Sequence, residues 1–369
     1  MAIPLLDLKE QFQQIEDEVR KNFDAVFASQ RFIMGPMQKE LEAFIGNMLG
    51  AEALAVSSGT DALLISLMAQ DIQPGDEILV PDFTFFATAG TIARLRAVPI
   101  FCDVDRETCN ISADSIARKV TDRTRAIIPV HLFGQSADMD AIMELAGEKG
   151  LAVIEDACQS IGARYKDKYT ATIGNSGAFS FFPSKNLGGM GDGGMVLTRD
   201  KALYQKLVHL RNHGQSDRYF HTMVGGNFRM DEFQAAALLA KAPRLSGYNE
   251  NRRRNAARYN KLLAGLVDKE LVQTPVERYH HVYHQYVIRA RDRDKLKQHL
   301  DAQGIGNAVY YPVPLHLQPC FAYLGSKDSD FPVTNSLCQD VLALPIFPEL
   351  TEDQIGQVAD QITAFYNRV

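Results

Sequence analysis

Residues 177–189 read Gly177-Ala178-Phe179-Ser180-Phe181-Phe182-Pro183-Ser184-Lys185-Asn186-Leu187-Gly188-Gly189, and Gly191-Asp192-Gly193-Gly194 follow closely. A short apolar run ends at a lysine and then at a glycine-rich turn. Working outward, similar apolar runs recur at 53–57, 77–80, 98–104, 126–130, 152–155 and 195–198, and 177–181 belongs with them. Helix-like stretches lie between several of them, at 61–69, 88–95 and 139–149. Asp138 stands where a helix N-cap is expected, and Gly150 where that helix should stop. Strands apolar on both faces that alternate with helices predict an α/β domain with a mainly parallel central sheet.

The pattern changes around residues 243–247, where a strongly charged helical stretch, 249–266, begins. Weaker apolar runs follow at 286–289, 292–302 and 309–311, and the tail at 351–367 opens with capping chemistry. This divides the chain into a large domain, 1–245, and a smaller C-terminal α+β domain, 246–369. The helical N-terminal 30 or so residues are expected to pack near the small domain. The cluster Arg252-Arg253-Arg254 reads as a solvated helix face.

Composition excludes several classes. The 369 residues carry 39 basic and 45 acidic side chains, a net charge of −6, which argues against a nucleic-acid coat. With 46% hydrophobic and 23% charged residues the chain is neither disordered nor fibrous. No run approaches the roughly 20 apolar residues of a membrane span, and no signal peptide is visible. Five cysteines, Cys102, Cys109, Cys158, Cys320 and Cys338, form no Cys-x-x-Cys pair, so neither a disulfide framework nor a metal site is expected. A cytoplasmic location follows as an expectation.

Three segments carry candidate chemistry. In Ser57-Ser58-Gly59-Thr60-Asp61 a strand passes directly into a helix. Free N–H groups at a helix start favour a phosphate, Gly59 allows close approach and Thr60 adds a hydroxyl; an ordinary capped turn would look the same. In Val153-Ile154-Glu155-Asp156-Ala157-Cys158-Gln159-Ser160 an apolar strand ends in acids. Ligands bind at such strand ends, and a buried carboxylate there needs a cation or donors. Asp156 could face a protonated ring nitrogen, with Gln159 nearby. Lys185, between apolar and glycine-rich residues, has the setting that lowers a lysine pKa and frees an amine nucleophile. A phosphate cradle, an amine and a ring-facing carboxylate together suggest pyridoxal 5'-phosphate. Phe85 or Phe86 could stack on its ring.

With Thr84-Phe85-Phe86-Ala87-Thr88, Asn227-Phe228-Arg229-Met230-Asp231-Glu232 and Tyr311-Pro312-Val313-Pro314-Leu315-His316 added, the order and spacing of these segments resemble the sugar-nucleotide aminotransferase family (DegT/StrS type). The likeness covers essentially the whole chain. It implies the fold-type I architecture of pyridoxal-phosphate-dependent aminotransferases and a homodimer with shared active sites. It implies that Lys185 bonds to the cofactor and acts as the acid/base, that Asp156 pairs with the ring nitrogen and Gln159 lies near the ring oxygen. By the same likeness Phe85 stacks, Gly59, Thr60 and Ser180 hold the phosphate, and Asn227 reaches it from the partner subunit. Arg229, Tyr311 and His316 are the candidate substrate contacts.

The implied reaction moves an amino group from L-glutamate to a nucleotide-linked keto sugar. Arg211-Asn212-His213-Gly214-Gln215, Arg218-Tyr219 and the 308–315 segment resemble enzymes that aminate C3 of UDP-2-acetamido-3-oxo-glucuronate. Surface polysaccharide or lipopolysaccharide synthesis would follow. UDP-3-keto-N-acetylglucosamine, a TDP-keto-6-deoxyhexose, or a non-catalytic sugar-sensing regulator on the same fold are the alternatives. A dehydratase of this fold would carry histidine in place of Lys185.

Overall fold

The computed structural model describes residues 2–367. Seven strands, β1 (Glu52–Val56), β2 (Glu77–Pro81), β3 (Val98–Cys102), β4 (Thr124–Ile127), β5 (Ala152–Asp156), β6 (Ser176–Ser180) and β7 (Gly194–Thr198), build one sheet in the order β1-β7-β6-β5-β4-β2-β3. All seven runs expected from the sequence are strands, with ends shifted by a few residues. The sheet is parallel except for β7, which is antiparallel to both β6 and β1. That exception has a physical cause. The connection 181–193 contains no helix, and without a crossover element the chain can only double back.

Helices cover both faces. The helix Gly59–Ala69 is buried on almost every side, with Ala62, Leu63, Leu64, Ile65 and Leu67 inside, so it sits within the fold rather than on it. Its apolar residues join Val56, Ile78, Val80, Ile154 and Val196 in the main core. The helix Met139–Lys149 ends at Gly150, whose φ of 65° lies in the left-handed region. Asp138 precedes it without capping; its carboxylate instead accepts from the Tyr165 hydroxyl at 2.9 Å.

A second core gathers around a three-stranded antiparallel sheet, β8 (Val272–Gln273), β9 (Tyr286–Ala290) and β10 (Val341–Leu344). Helices Leu245–Val267, Arg293–Ala302 and Glu352–Tyr366 pack on it, and Tyr259 stacks on Tyr286 at 4.8 Å. Thr351 and Gln354 cap the last helix reciprocally. The run 309–311 forms no strand; one bridge, Ala308 to Ala343, ties its start to β10.

The N-terminal segment divides between the two cores. Ile3 is buried in the second core and pairs with Gly304 and Gly306. The helix Glu16–Ser29 packs on Glu232–Lys241, with Asn22 donating to the Ala236 carbonyl. The basic cluster differs from its expected role. Arg252 is 2% exposed, and its guanidinium donates to the carbonyls of Tyr283, His284 and Ile346. Burial lowers its pKa to about 10. Arg253 reaches Glu277 and the His281 carbonyl. Three unpaired loop carbonyls needed a donor, and nothing local in the sequence announces them.

At the start of β7 a Cβ added to Gly194 would run into the Ser58 carbonyl oxygen and lie 2.7 Å from the Gly59 nitrogen. A methyl group there forces the β1-to-helix turn away from the sheet. Gly194→Ala should therefore lose about 1–3 kcal/mol of stability, as overpacked sites do. A lowered urea midpoint with an unchanged slope is the expected result; an unchanged midpoint would contradict it.

Candidate active site

The carboxyl ends of β5 and β6, and the turns after β1, β2 and β4, open onto one cavity of about 620 Å³. This size suits a cofactor or small substrate. Its lining brings together Gly59, Thr60, Phe85, Asp156, Gln159, Ser180, Lys185 and Tyr311 from segments far apart in sequence. Sheet order does this: β5 and β6 are neighbours, so Asp156 and Ser180 end side by side.

One end of the cavity is an anion cradle. Ser58 caps the helix Gly59–Ala69 by accepting from the Asp61 N–H at 3.0 Å, and Ser57 and Ser58 both donate to the Asp61 carboxylate. The first-turn N–H groups have no acceptor within the helix and carry its positive end. A Cβ at Gly59 would lie 2.7 Å from Ser180 Cβ and 2.9 Å from Cys158 Sγ. Only glycine lets the turn close on β6, so backbone N–H groups and the Thr60 and Ser180 hydroxyls converge.

The opposite requirement appears at Asp156. It is 6% exposed, yet it borders the cavity. One carboxylate oxygen accepts from Thr88 Oγ1 at 2.8 Å and the other from the Cys158 N–H at 3.2 Å. Donors alone offset only part of the burial cost of a carboxylate, so the arrangement suits a cationic group on the cavity side. Lys185 is half-buried on the 181–193 turn, whose base is tied by its own N–H to the Phe182 carbonyl at 2.8 Å. Burial lowers its pKa below the ordinary lysine value, against the raising influence of Cys158 and Asp156. A larger share of free amine is the consequence. Phosphate cradle, carboxylate and amine thus match the phosphate, ring nitrogen and aldehyde of pyridoxal 5'-phosphate.

Aromatic groups form the remaining wall. Phe85 borders the cavity with its ring 6.4 Å from that of Tyr311, whereas Phe86 turns away to stack on Phe321 at 5.5 Å. Gln159 is held at both ends: its Oε1 accepts from the Phe133 N–H at 2.7 Å, and its Nε2 donates to the Tyr311 hydroxyl at 3.2 Å.

Three expected residues lie outside this lining. Asn227 is exposed on a segment that bridges to Asn212. Arg229 donates to Asn212 Oδ1 at 2.5 Å and leaves its buried Nε unpartnered; Asp231 and Glu232 are engaged elsewhere, capping a helix and accepting from Gly35, Met37 and Gln38. His316 is enclosed between Asp82 and Asp328. Conversely, Thr88, Asp192, His284, Gln285 and Tyr310 were not singled out. Thr88 and His284 show why. The partner of Thr88 is 68 residues away, and His284 Nδ1 pairs with Asn186 Oδ1 across 98.

The aminotransferase model DegT/DnrJ/EryC1/StrS matches residues 13–363. The chain belongs to the DegT/DnrJ/EryC1/StrS aminotransferase family. Family relatives of near-equal length surround it. A Geobacillus stearothermophilus protein named a pleiotropic regulatory protein is 47% identical, over 99% of both chains. The UDP-N-acetyl-3-dehydro-alpha-D-glucosamine 3-aminotransferase of Acidithiobacillus ferrooxidans is 46% identical over 98% of this chain and 97% of its own. The UDP-2-acetamido-2-deoxy-3-oxo-D-glucuronate aminotransferase of Pseudomonas aeruginosa is 38% identical over 98% and 99%. Among solved structures, DesV of S. venezuelae, crystallised with a ketimine intermediate, superposes with a TM-score of 0.96 at 38% identity, covering 100% of this chain and 99% of its own. Ntda of Bacillus subtilis, solved with its cofactor PMP bound, gives 0.91 at 31%, over 98% and 83%. The fold is therefore that of the fold-type I aminotransferases, and this family enzyme uses pyridoxal phosphate.

Thr88 offers a measurable consequence. Thr88→Val removes one donor from Asp156 while keeping shape, so turnover should fall about tenfold or more, the worth of a hydrogen bond to a charged group. The pH titration of the bound cofactor's visible absorbance should shift as well, and Thr88→Ser should restore both. Unchanged turnover and titration in Thr88→Val would remove Thr88 from the site.

Proposed function

We propose that the enzyme transfers the amino group of L-glutamate to C3 of a UDP-linked 2-acetamido-3-keto sugar, with a hydroxymethyl rather than a carboxylate at C6. The observation that carries the aminotransferase chemistry is the meeting of Lys185, Asp156 and the Gly59-Thr60 cradle in one cavity. Bound there, pyridoxal phosphate supplies a carbon that accepts amines and an electron-withdrawing ring. The chain's own groups do the rest. Lys185 Nζ takes the Cα proton of the donor and delivers a proton to C3 of the sugar. Asp156 would hold the ring nitrogen in its protonated form, and Gln159 would orient the ring edge. Gly59, Thr60 and Ser180 would fix the phosphate, and Phe85 would pack against the ring.

The glucuronate reading rests on the 211–215 segment, Arg218-Tyr219 and the 308–315 segment, with Arg229 as the candidate contact for an anionic group. Arg211 is buried in an ion pair with Glu42 at 2.6 Å and also donates to the Ala55 carbonyl, which commits it to the fold. Within one chain the cavity lining contributes two carboxylates, Asp156 and Asp192, against one amine. Its own chain therefore offers a sugar carboxylate little. The 46% identical relative, named for the UDP-3-dehydro-glucosamine, points the same way. Steady-state kinetics with glutamate and the two 3-keto sugars decide the point. The hydroxymethyl sugar should lead in kcat/KM by about tenfold, and Asp192→Asn should narrow the gap. A lead for the uronate would reverse the assignment; no turnover of any keto sugar would favour a regulatory protein.

Asn227 and Arg229 serve, on this reading, the site of a second copy across a two-fold axis. Their position outside their own chain's cavity and the exposure of Asn227 support it. Lys185→Ala chains and Asn227→Ala/Arg229→Ala chains should each be nearly inactive. Co-expressed and randomly assorted, the population should recover towards about a quarter of the parent level, with one intact site in each mixed dimer. Verified mixed dimers as inactive as either variant would assign the loop to its own chain.

A further inference from the structure

His316 sits where two walls of the cavity are joined. Asp82 follows β2 and opens the turn that carries Phe83 and Phe85. The His316 backbone N–H donates to Asp82 Oδ1 at 2.8 Å, its ring Nδ1 faces Asp82 Oδ2 at 2.6 Å, and the Leu315 N–H donates to the Asp82 carbonyl at 3.1 Å. On its other side His316 Nε2 faces Asp328 Oδ1 at 3.2 Å, and the ring stacks on Phe331 at 4.4 Å. Asp82 is fully buried, and its own N–H is tied to the Cys102 carbonyl at 2.9 Å. The turn is therefore fixed to the sheet, and His316 is fixed to the turn.

The segment held this way has few other polar anchors. It leaves the second core at the Ala308–Ala343 bridge and carries Tyr310 and Tyr311 past the cavity. It reaches the main core only at Leu315 and Phe321. Between those ends, Tyr311 touches Gln159 through its hydroxyl and lies 5.9 Å from the Phe83 ring and 6.4 Å from the Phe85 ring. The separation of Phe85 from Tyr311 is thus set by the joint at Asp82.

We propose that His316 is a positioning residue which, through Asp82, locks the 310–316 segment onto the 82–86 turn and so sets the width of the cleft that admits the sugar. The identity of the entering group rests on the proposed function; the joint itself does not. Both ring nitrogens face carboxyl oxygens, so the imidazolium bonds both, whereas a neutral ring protonated at Nδ1 would keep Asp82 and lose Asp328. Burial acts to lower the His316 pKa, but its hydrogen bonds to Asp82 and Asp328, and the attraction of their charge, prevail and raise it. The other charged or titratable groups around the joint are Asp103, Cys102 and Cys338, which sense Asp82, and Lys119, whose Nζ lies 4.2 Å from the Phe331 centroid. A histidine with a raised folded pKa contributes fully below its unfolded value and loses that contribution as pH rises through the raised one. The Asp328 contact should hold at neutral pH and weaken on the alkaline side, while the bonds to Asp82 persist.

Hydrogen exchange on the holoenzyme reads the joint directly at the amides of residues 315 and 316. His316→Gln should lower their protection about tenfold or more. It should also raise KM for the keto sugar about tenfold, the scale of a small displacement at a distance, with KM for glutamate within about twofold. Protection unchanged in that variant would overturn the joint, and protection lost without a change in sugar KM would overturn its control of the cleft. Should His316→Gln not fold, Asp328→Asn replaces it, because the Asp328 side chain is 69% exposed. Protection at 315 and 316 should then fall below the parent's at neutral pH, since the ring loses its second carboxylate; protection equal to the parent's would overturn the proposal. If the parent turns over no keto sugar, the functional reading fails, and the exchange result alone decides the joint.

Discussion

A carboxylate buried at the end of a central strand is the constraint from which the site follows. Asp156 is inside the fold because β5 lies between β4 and β6, and its own N–H and carbonyl are engaged with Pro129 and His131. Desolvating such an ion costs several kcal/mol even after relaxation. Hydrogen bonds to charged groups contribute about 1.5–3 kcal/mol each. The Thr88 hydroxyl and the Cys158 N–H offset much of that cost, and a cation in the cavity would stabilise the carboxylate further. A protonated ring nitrogen is such a cation, which ties the affinity for the cofactor to the fold of the sheet.

The amine opposite Asp156 is positioned with comparable care, although it sits on a turn rather than a strand. Gly189 N–H bonds the Phe181 carbonyl at 2.7 Å, and the buried Lys241 donates to the Gly188 carbonyl at 2.8 Å. Asn186 donates to Asn249 Oδ1 and to the Val282 carbonyl. Two of these partners, Asn249 and Val282, belong to the long helix and the strand-bound loop around the second core. The turn bearing Lys185 is thus clamped between the two cores. Burial lowers the pKa of Lys241 to about 8, which marks how dry the underside of the turn is.

Much of this was legible in the sequence, and the boundary is physical. Strands such as β2 and β5 announce themselves because both faces are apolar over several residues, a local property. The cradle at Ser58-Gly59-Thr60 and the capping box at Thr351 are likewise local. What escaped detection depends on distant partners. Arg252 reads as a solvated charge until the loop carbonyls of Tyr283, His284 and Ile346 are placed against it. Thr88 reads as one more helix residue until Asp156 arrives from another strand. His316 reads as a cavity histidine because its segment borders the cavity, while its ring faces the other way, towards Asp82. The choice between Phe85 and Phe86 likewise depends on Phe321, a distant residue on which Phe86 stacks.

The residues that escaped share a character that bears on how the enzyme holds its geometry. Apolar contacts supply the cohesion of both cores, but they are non-directional and tolerate small slides between packed bodies. Arg252, Asn186 and the Asp82–His316 pair are directional, and each spans segments that the apolar cores would leave free to shift. Buried polar pairs of this kind often add little net stability compared with apolar residues of the same volume, whereas breaking one is costly. Their contribution here is register: they fix the 310–316 segment, the Lys185 turn and the second core relative to the sheet. A proton transfer between Lys185 and carbon needs that register to within a fraction of an ångström. Cohesion and alignment are therefore carried by different residues, and the second set is the one a local reading of the sequence is least able to find.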